Sequence, residues 1–122
     1  MILIDSSAWI AYFLESPSAS AIDQYLKKEE QFVLPTIVLY EVYRHLTAKL
    51  GSEKALFYVD QMQHGDVRPL DAELALNAAE LSHQYKLGTA DAIVYATALS
   101  QQAKIITLDN DFRNLPGCTV IQ

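Results

Sequence analysis

The sequence predicts an α/β protein, a three-layer α/β/α sandwich with a mainly parallel central sheet. Short apolar segments alternate with helix-like segments along the chain, which is the pattern of parallel strands joined by crossover helices. The first segment, residues 1–4, is apolar at every position, as expected for a strand covered by helices on both faces. A length of 122 residues with 51% hydrophobic residues fits a single domain over residues 1–122 with one buried core.

Five segments are predicted to be strands because each is short, apolar and rich in β-branched residues. In chain order they are residues 1–4, 32–34, 67–70, 103–108 and 118–121. The third segment contains Pro69, which lacks a backbone N–H donor. We therefore expect this strand at an edge of the sheet.

Six segments are predicted to be helices because they are rich in helix-forming residues and contain no Gly or Pro. In chain order they are residues 8–14, 20–28, 36–50, 52–63, 72–85 and 90–102. Four hydroxyl residues at the starts of these segments are interpreted as N-caps: Ser7, Thr36, Ser52 and Thr89. Gly51 is interpreted as the stop of the third helix. The predicted order is β-α-α-β-α-α-β-α-α-β-β.

Composition excludes several classes of protein. No apolar run approaches the roughly 20 residues of a membrane-spanning helix, and Asp5 interrupts the N-terminal apolar run too early for a signal peptide. The single cysteine, Cys118, suits a reducing cytoplasm and is interpreted as a small core residue. A net charge of −6 argues against nucleic-acid binding unless bound cations offset the acids locally.

Four acids are expected to meet at one edge of the sheet. Asp5 and Asp109 each follow a predicted strand, and sites in parallel sheets form beyond the carboxyl ends of strands. Asp91 lies in the first turn of the helix that leads into the strand before Asp109, and this helix runs antiparallel to the strands. Its N-terminus therefore lies at the same edge. Glu41 lies one to two turns into its own helix, near that edge too.

A cluster of carboxylates without a cation is costly, since like charges raise one another's pKa. Ligands that are all oxygen indicate Mg²⁺ or Mn²⁺ rather than zinc, and such a site favours phosphodiester hydrolysis. Each acid also has an ordinary interpretation: Asp5, Asp109 and Asp111 as turn residues, Asp91 as a first-turn acid, and Glu41 as the partner of Arg44 in a structural ion pair.

The chain resembles the PIN-domain ribonucleases. The resemblance rests on four features in order: Asp5 in ILIDSSAWI, the lone Glu41, Asp91 in TADAIVYATAL and Asp109 in IITLDNDF. Because the chain is a small single domain, it is similar in particular to the VapC-type toxins of toxin–antitoxin pairs. The resemblance implies an RNA-cleaving Mg²⁺ centre, with Mn²⁺ as the other suitable ion. Its implied residues are Asp5, Glu41, Asp91 and Asp109, supported by Asp111 and by the hydroxyls of Ser6, Ser7 and Thr107.

The resemblance also implies three partners: an RNA substrate, a cognate antitoxin protein and a second copy of the chain in a homodimer. The candidate RNA-binding residues are Arg44, His45, Lys49 and Lys86. The first helix carries three aromatic residues, Trp9, Tyr12 and Phe13, which we interpret first as residues of the hydrophobic core. By resemblance, any exposed part of them would receive the C-terminal segment of the antitoxin.

Three other functions stay open. The same chemistry could serve an RNA-processing PIN nuclease that is not a toxin. A haloacid-dehalogenase-type phosphatase would need a second Asp two residues after Asp5, where Ser7 stands instead. A non-catalytic protein-binding module would use the apolar helices for partners and would bind no divalent metal.

Overall fold

The computed structural model describes residues 1–28 and 31–122. The strands are β1 (Ile2–Ile4), β2 (Phe32–Pro35), β3 (Asp66–Arg68), β4 (Lys104–Thr107) and β5 (Cys118–Val120). The helices are α1 (Ser6–Phe13), α2 (Ala19–Lys28), α3 (Thr36–Leu50), α4 (Ser52–Met62), α5 (Ala72–Tyr85) and α6 (Thr89–Ser100). A short 3₁₀ helix, Asn110–Phe112, lies between β4 and β5. The predicted order of strands and helices is confirmed.

The five strands form one sheet in the order β3-β2-β1-β4-β5, and every neighbouring pair is parallel. The strand before Pro69 lies at an edge, as predicted, and it ends at Arg68, so the proline follows it. The chain builds the sheet outward from β1 to β3 and then crosses to β4 on the other side of β1. This reversal places a topological switch point between the carboxyl ends of β1 and β4.

The helices form two groups, α1 to α4 and α5 with α6, and the sheet lies between them. Right-handed crossovers explain this arrangement, because the change of direction after β3 carries the last two helices to the opposite face. The core is centred on the middle strands, where Leu3, Ile4, Ile105 and Ile106 are fully buried. Burial of each such side chain stabilises the fold by about 1.5–3 kcal/mol.

The helix starts differ from the predicted caps. Ser7, Thr36, Ser52 and Thr89 all lie inside helices, and the cap positions are held by Asp5, Pro35, Gly51 and Gly88. Asp5 caps α1 by accepting a hydrogen bond from the Ser6 N–H, and the other three caps make no side-chain hydrogen bond. At these points extended backbone leads directly into the helix. The cap position therefore lies one or two residues before each hydroxyl residue that was predicted to hold it. Gly51 does end α3, as predicted.

Within the described residues, no helix combines the length and the apolarity needed to cross a membrane. Cys118 lies on the outer strand β5 and is partly buried against the core. Burial raises the pKa of its thiol to about 11, so the thiolate form is scarce at neutral pH.

A candidate metal centre at the carboxyl edge of the sheet

Three acids meet at the switch point between β1 and β4. Asp5, Asp91 and Asp109 each offer a carboxylate oxygen, and these oxygens lie within 4.8 Å of one another. Asp5 follows β1, Asp109 follows β4, and Asp91 lies in the first turn of α6. Three separate elements therefore deliver the three side chains to one point, as the order of strands requires.

Asp5 is the most constrained of the three acids. It is 3% exposed, and both of its carboxylate oxygens accept hydrogen bonds. Oδ1 accepts from the Ser6 N–H at 2.7 Å, and Oδ2 accepts from the Thr107 hydroxyl at 2.9 Å. The side chain is therefore held in one orientation.

A chain of hydroxyls ties Asp5 to the segment that carries Asp109. Thr107 Oγ1 accepts from the Asp109 N–H at 3.0 Å and lies 3.1 Å from Ser7 Oγ, which accepts from the Leu108 N–H at 3.0 Å. Thr107 has one proton and donates it to Asp5, so Ser7 is the donor to Thr107. Each hydroxyl in this hydrogen-bond network therefore donates to one defined acceptor. The network fixes the end of β4 against the start of α1.

The carboxylates repel one another. Burial, followed by the charges of Asp109, Asp5, Asp111 and Glu41, raises the pKa of Asp91 to about 7. Burial also raises the pKa of Asp5, and the hydrogen bond from Thr107 opposes that rise. A cation bound between the acids would offset this repulsion.

Glu41 lies beside this group but outside it. Among the described residues, the group whose oxygens all lie within 4.8 Å of one another contains Asp5, Asp91 and Asp109. Glu41 is half-buried on α3. Burial and then the charge of Asp5 raise the pKa of Glu41, while a hydrogen bond with Ser6 lowers it. In the part of the chain that the structure describes, Glu41 and Arg44 form no ion pair.

The supporting residues divide into two kinds. Ser7 and Thr107 belong to the hydroxyl chain, and Ser6 contributes its N–H to Asp5. Asp111 is exposed, and its N–H donates to Asp109 Oδ1 at 2.9 Å. The next residue, Phe112, is fully buried and anchors this turn in the core.

The candidate RNA-binding residues are not all brought together. Arg44 and His45 are exposed on α3 and line a cleft of about 470 Å³ with Ser6 and Glu41. Lys86 lies at the C-terminal end of α5, and Lys49 is exposed near the end of α3; neither lines this cleft. The cleft is also lined by Tyr40, which is not among the site residues predicted from the sequence. The spacing of Tyr40 four residues before Arg44 was the available signal.

The aromatic residues of α1 are mostly core. Trp9 and Phe13 are buried and stack with ring centroids 5.4 Å apart. Tyr12 is half-buried and donates to Asp23 Oδ1 at 3.2 Å. The exposed part of this group borders a cavity of about 360 Å³ with Asp23 and Tyr58.

The donor set fits Mg²⁺ or Mn²⁺. Three carboxylates on fixed elements supply hard oxygen ligands, which both ions prefer. Asp5, Asp91 and Asp109 would hold the ion, and Glu41 lies near enough to them that its charge helps raise the pKa of Asp91.

The model of the PIN domain family matches residues 2–117. Comparison of the sequence with curated proteins found no match. A toxin–antitoxin complex from Klebsiella pneumoniae contains a similar fold, with a TM-score of 0.83 at 23% identity over 98% of this chain and 97% of that chain. The VapC20 toxin of Mycobacterium tuberculosis, described as cleaving the sarcin–ricin loop, gives 0.78 at 17% identity over 96% of each chain. VapBC2 of Rickettsia felis, bound to a promoter DNA fragment, gives 0.75 at 17% identity over 99% of this chain and 98% of that one.

Proposed function

Because the chain belongs to the PIN domain family, we propose that it is a Mg²⁺-dependent endoribonuclease and the toxin of a toxin–antitoxin pair. Nuclease activity is the general property of PIN-domain toxins. The observation that carries the proposal is the convergence of Asp5, Asp91 and Asp109 at the switch point of the sheet.

Each acid has a role in this proposal. Asp5 is the rigid ligand, because two hydrogen bonds fix its carboxylate. Asp91 and Asp109 complete the ligand set from α6 and from the end of β4. Mg²⁺, or Mn²⁺, would supply polarisation of the scissile phosphoryl group and an acidic water at neutral pH. Glu41, whose pKa is raised by burial and by the charge of Asp5, would accept a proton from the attacking water.

The proposed partners are RNA, a cognate antitoxin and a second copy of the chain. Structures with this fold were solved as complexes with antitoxins, from Klebsiella pneumoniae and from Rickettsia felis. For the antitoxin, the exposed edge of the aromatic group is the proposed contact, where Tyr12 borders a cavity that is also lined by Glu15 and by Asp23, the latter paired with Lys27 at 2.9 Å. A basic antitoxin segment would complement the charge of these two acids. A cytoplasmic location stays a prediction from the single cysteine.

The decisive experiment is cleavage of a mixed RNA pool by the purified chain with Mg²⁺, beside samples in chelator. We expect cleavage only with metal. Asp5→Asn and Asp91→Asn should each lower the rate by at least about 100-fold, since they remove a ligand and not merely its support. Asp66→Asn is the matched control, because Asp66 lies on the edge strand β3 and pairs with Arg68 at 2.9 Å.

Equal cleavage by the wild-type chain and both variants would contradict this centre. Cleavage that causes no growth arrest on expression would favour an RNA-processing PIN nuclease over a toxin. Absence of both cleavage and metal binding would favour the non-catalytic protein-binding module.

A further inference from the structure

A polar cleft leads away from the acidic centre between α1 and α3. Ser6 and Ile10 line it from α1, and Tyr40, Glu41, Arg44 and His45 line it from α3. Its volume is about 470 Å³, which lies within the usual range of small-ligand sites. Ser6 also donates its N–H to Asp5, so the cleft begins at the proposed centre.

Tyr40 stands at the edge of this cleft with 61% of its surface exposed. It also lines an apolar cavity of about 310 Å³ with Leu39, Tyr43 and Leu56, so its ring forms a ridge between two recesses. An aromatic side chain exposed to this extent, next in sequence to Glu41, can offer ring surface to a ligand in the cleft. Aromatic faces of this kind stack on unpaired bases without regard to sequence.

Two side chains that can donate hydrogen bonds to a phosphate, Arg44 and His45, follow Tyr40 on α3 and line the same cleft. Arg44 lies one helical turn after Tyr40, and His45 lies one turn after Glu41. Both are exposed, and neither forms an ion pair with any described residue. In a chain of net charge −6, Arg44 supplies the local positive charge that a phosphate backbone needs next to the acids, and the His45 ring supplies an N–H donor.

We propose that this cleft binds the single-stranded RNA segment that flanks the scissile phosphodiester. Tyr40 stacks on one base of that segment, and Arg44 and His45 donate hydrogen bonds to an adjacent phosphate. The segment must be single-stranded, because neighbouring base pairs cover the faces of the bases inside a duplex. This inference rests on the proposed nuclease function and names the part of the RNA substrate that the chain holds outside the metal centre.

The test measures binding and cleavage separately. Binding of a short fluorescent RNA of mixed sequence is measured by anisotropy in chains that carry Asp91→Asn, so that no cleavage interferes. Adding Tyr40→Ala should weaken binding by about tenfold or more, and Tyr40→Phe should keep the affinity because it keeps the ring. An RNA with abasic sites should bind both chains equally, since it has no base to stack.

Phe57 supplies the matched control. It is a 66% exposed aromatic residue on α4 and does not line the cleft. Phe57→Ala should leave RNA affinity and cleavage unchanged. With Asp91 intact, Tyr40→Ala should raise KM and leave kcat nearly unchanged, which is the pattern of lost substrate binding. Arg44→Gln should reduce the slope of log affinity against log salt by about 0.7.

The outcomes separate this inference from the proposed function. If the wild-type chain cleaves RNA and Tyr40→Ala binds intact RNA as well as the parent does, the inference is wrong and the nuclease stands. Equal losses for Tyr40→Ala and Phe57→Ala, or equal losses with intact and abasic RNA, also overturn it. If the wild-type chain neither binds nor cleaves RNA, both the inference and the proposed function fail.

Discussion

Thr107 is the residue that joins the two halves of the acidic centre. Its hydroxyl is fully buried, donates to Asp5 and accepts from Ser7 and the Asp109 N–H. Thr107→Val keeps the shape of the side chain but removes the hydroxyl, so its buried partners lose their hydrogen bonds. We therefore expect a loss of about 1–3 kcal/mol in the free energy of unfolding. The kcat for RNA cleavage should fall by about 10- to 100-fold, as for other residues that orient ligands. Urea unfolding and single-turnover cleavage measure the two effects.

Thr107→Ser is the control for this prediction, because it keeps the hydroxyl and loses only a methyl group. It should retain most of the activity that Thr107→Val loses. Equal activities in the two variants would show that the hydroxyl chain does not position the acids.

Asp91 makes stability depend on pH in the metal-free protein. Burial and the neighbouring acids raise its pKa to about 7, from 3.8 in an unstructured chain. The folded state therefore binds more protons than the unfolded state between these values, so the free energy of unfolding falls as pH rises from about 4 to about 7. Above this range the penalty is constant.

Asp91→Asn should remove this contribution, since an amide does not titrate. In chelator at pH 8, we expect the variant to unfold at a higher temperature than the wild-type chain, with the difference shrinking as pH falls. Thermal unfolding across the pH range checks this. Parallel curves for the two chains would contradict the raised pKa.

At the scale of helices and strands, the sequence predicts where a helix lies better than it predicts which residue caps it. Residues 36–50 and 72–85 are helices with the predicted bounds, because long apolar repeats specify them. The caps were predicted wrongly, since a hydroxyl near a helix start is a local signal that tertiary contacts can override. Ser7 shows the reason: its hydroxyl bonds to Leu108 and Thr107, residues about a hundred positions away. No local pattern contains that information.

The ends of α5 and α6 offer a paired test at this scale. Lys86 caps α5 with a φ of 60°, and Gln102, just past α6, has a φ of 54°. Side chains are strained in this left-handed region, which glycine adopts freely. Lys86→Gly and Gln102→Gly should therefore each raise the free energy of unfolding by about 0.5–1 kcal/mol. Chemical denaturation measures both.

RNA affinity then separates the two positions. Lys86 was predicted to hold an RNA phosphate, and Gln102 was not. Lys86→Gly should weaken RNA binding by up to a few fold while it stabilises the fold, and Gln102→Gly should stabilise the fold alone. Unchanged RNA affinity in Lys86→Gly would remove Lys86 from the substrate-binding set.

For the whole molecule, strand order was the missing information. The sequence predicts which acids follow strands and which begins a helix, so it predicts a common edge for Asp5, Asp91 and Asp109, with Glu41 near the same edge. It does not contain the order β3-β2-β1-β4-β5, which alone makes Asp5 and Asp109 neighbours. The position of Glu41 outside the closest group and the exposure of Tyr40 depend on how α3 packs against α1. Such packing is set by the summed shapes of many side chains, which no short pattern encodes.

This strand order also couples metal binding to the stability of the entire domain. The ligands come from three elements that separate on unfolding, so the intact centre exists only in the folded state. Mg²⁺ or Mn²⁺ should therefore raise the melting temperature, by an amount equivalent to about 2.7 kcal/mol when the ion is at 100 times its dissociation constant. Asp5→Asn and Asp91→Asn should abolish most of this rise, and Asp66→Asn should keep it.

Ionic strength is held constant with NaCl, because screening alone relieves repulsion in a chain of net charge −6. A rise of equal size in Asp91→Asn would place the bound ion elsewhere, and no rise in the wild-type chain would remove the metal centre from the proposed function.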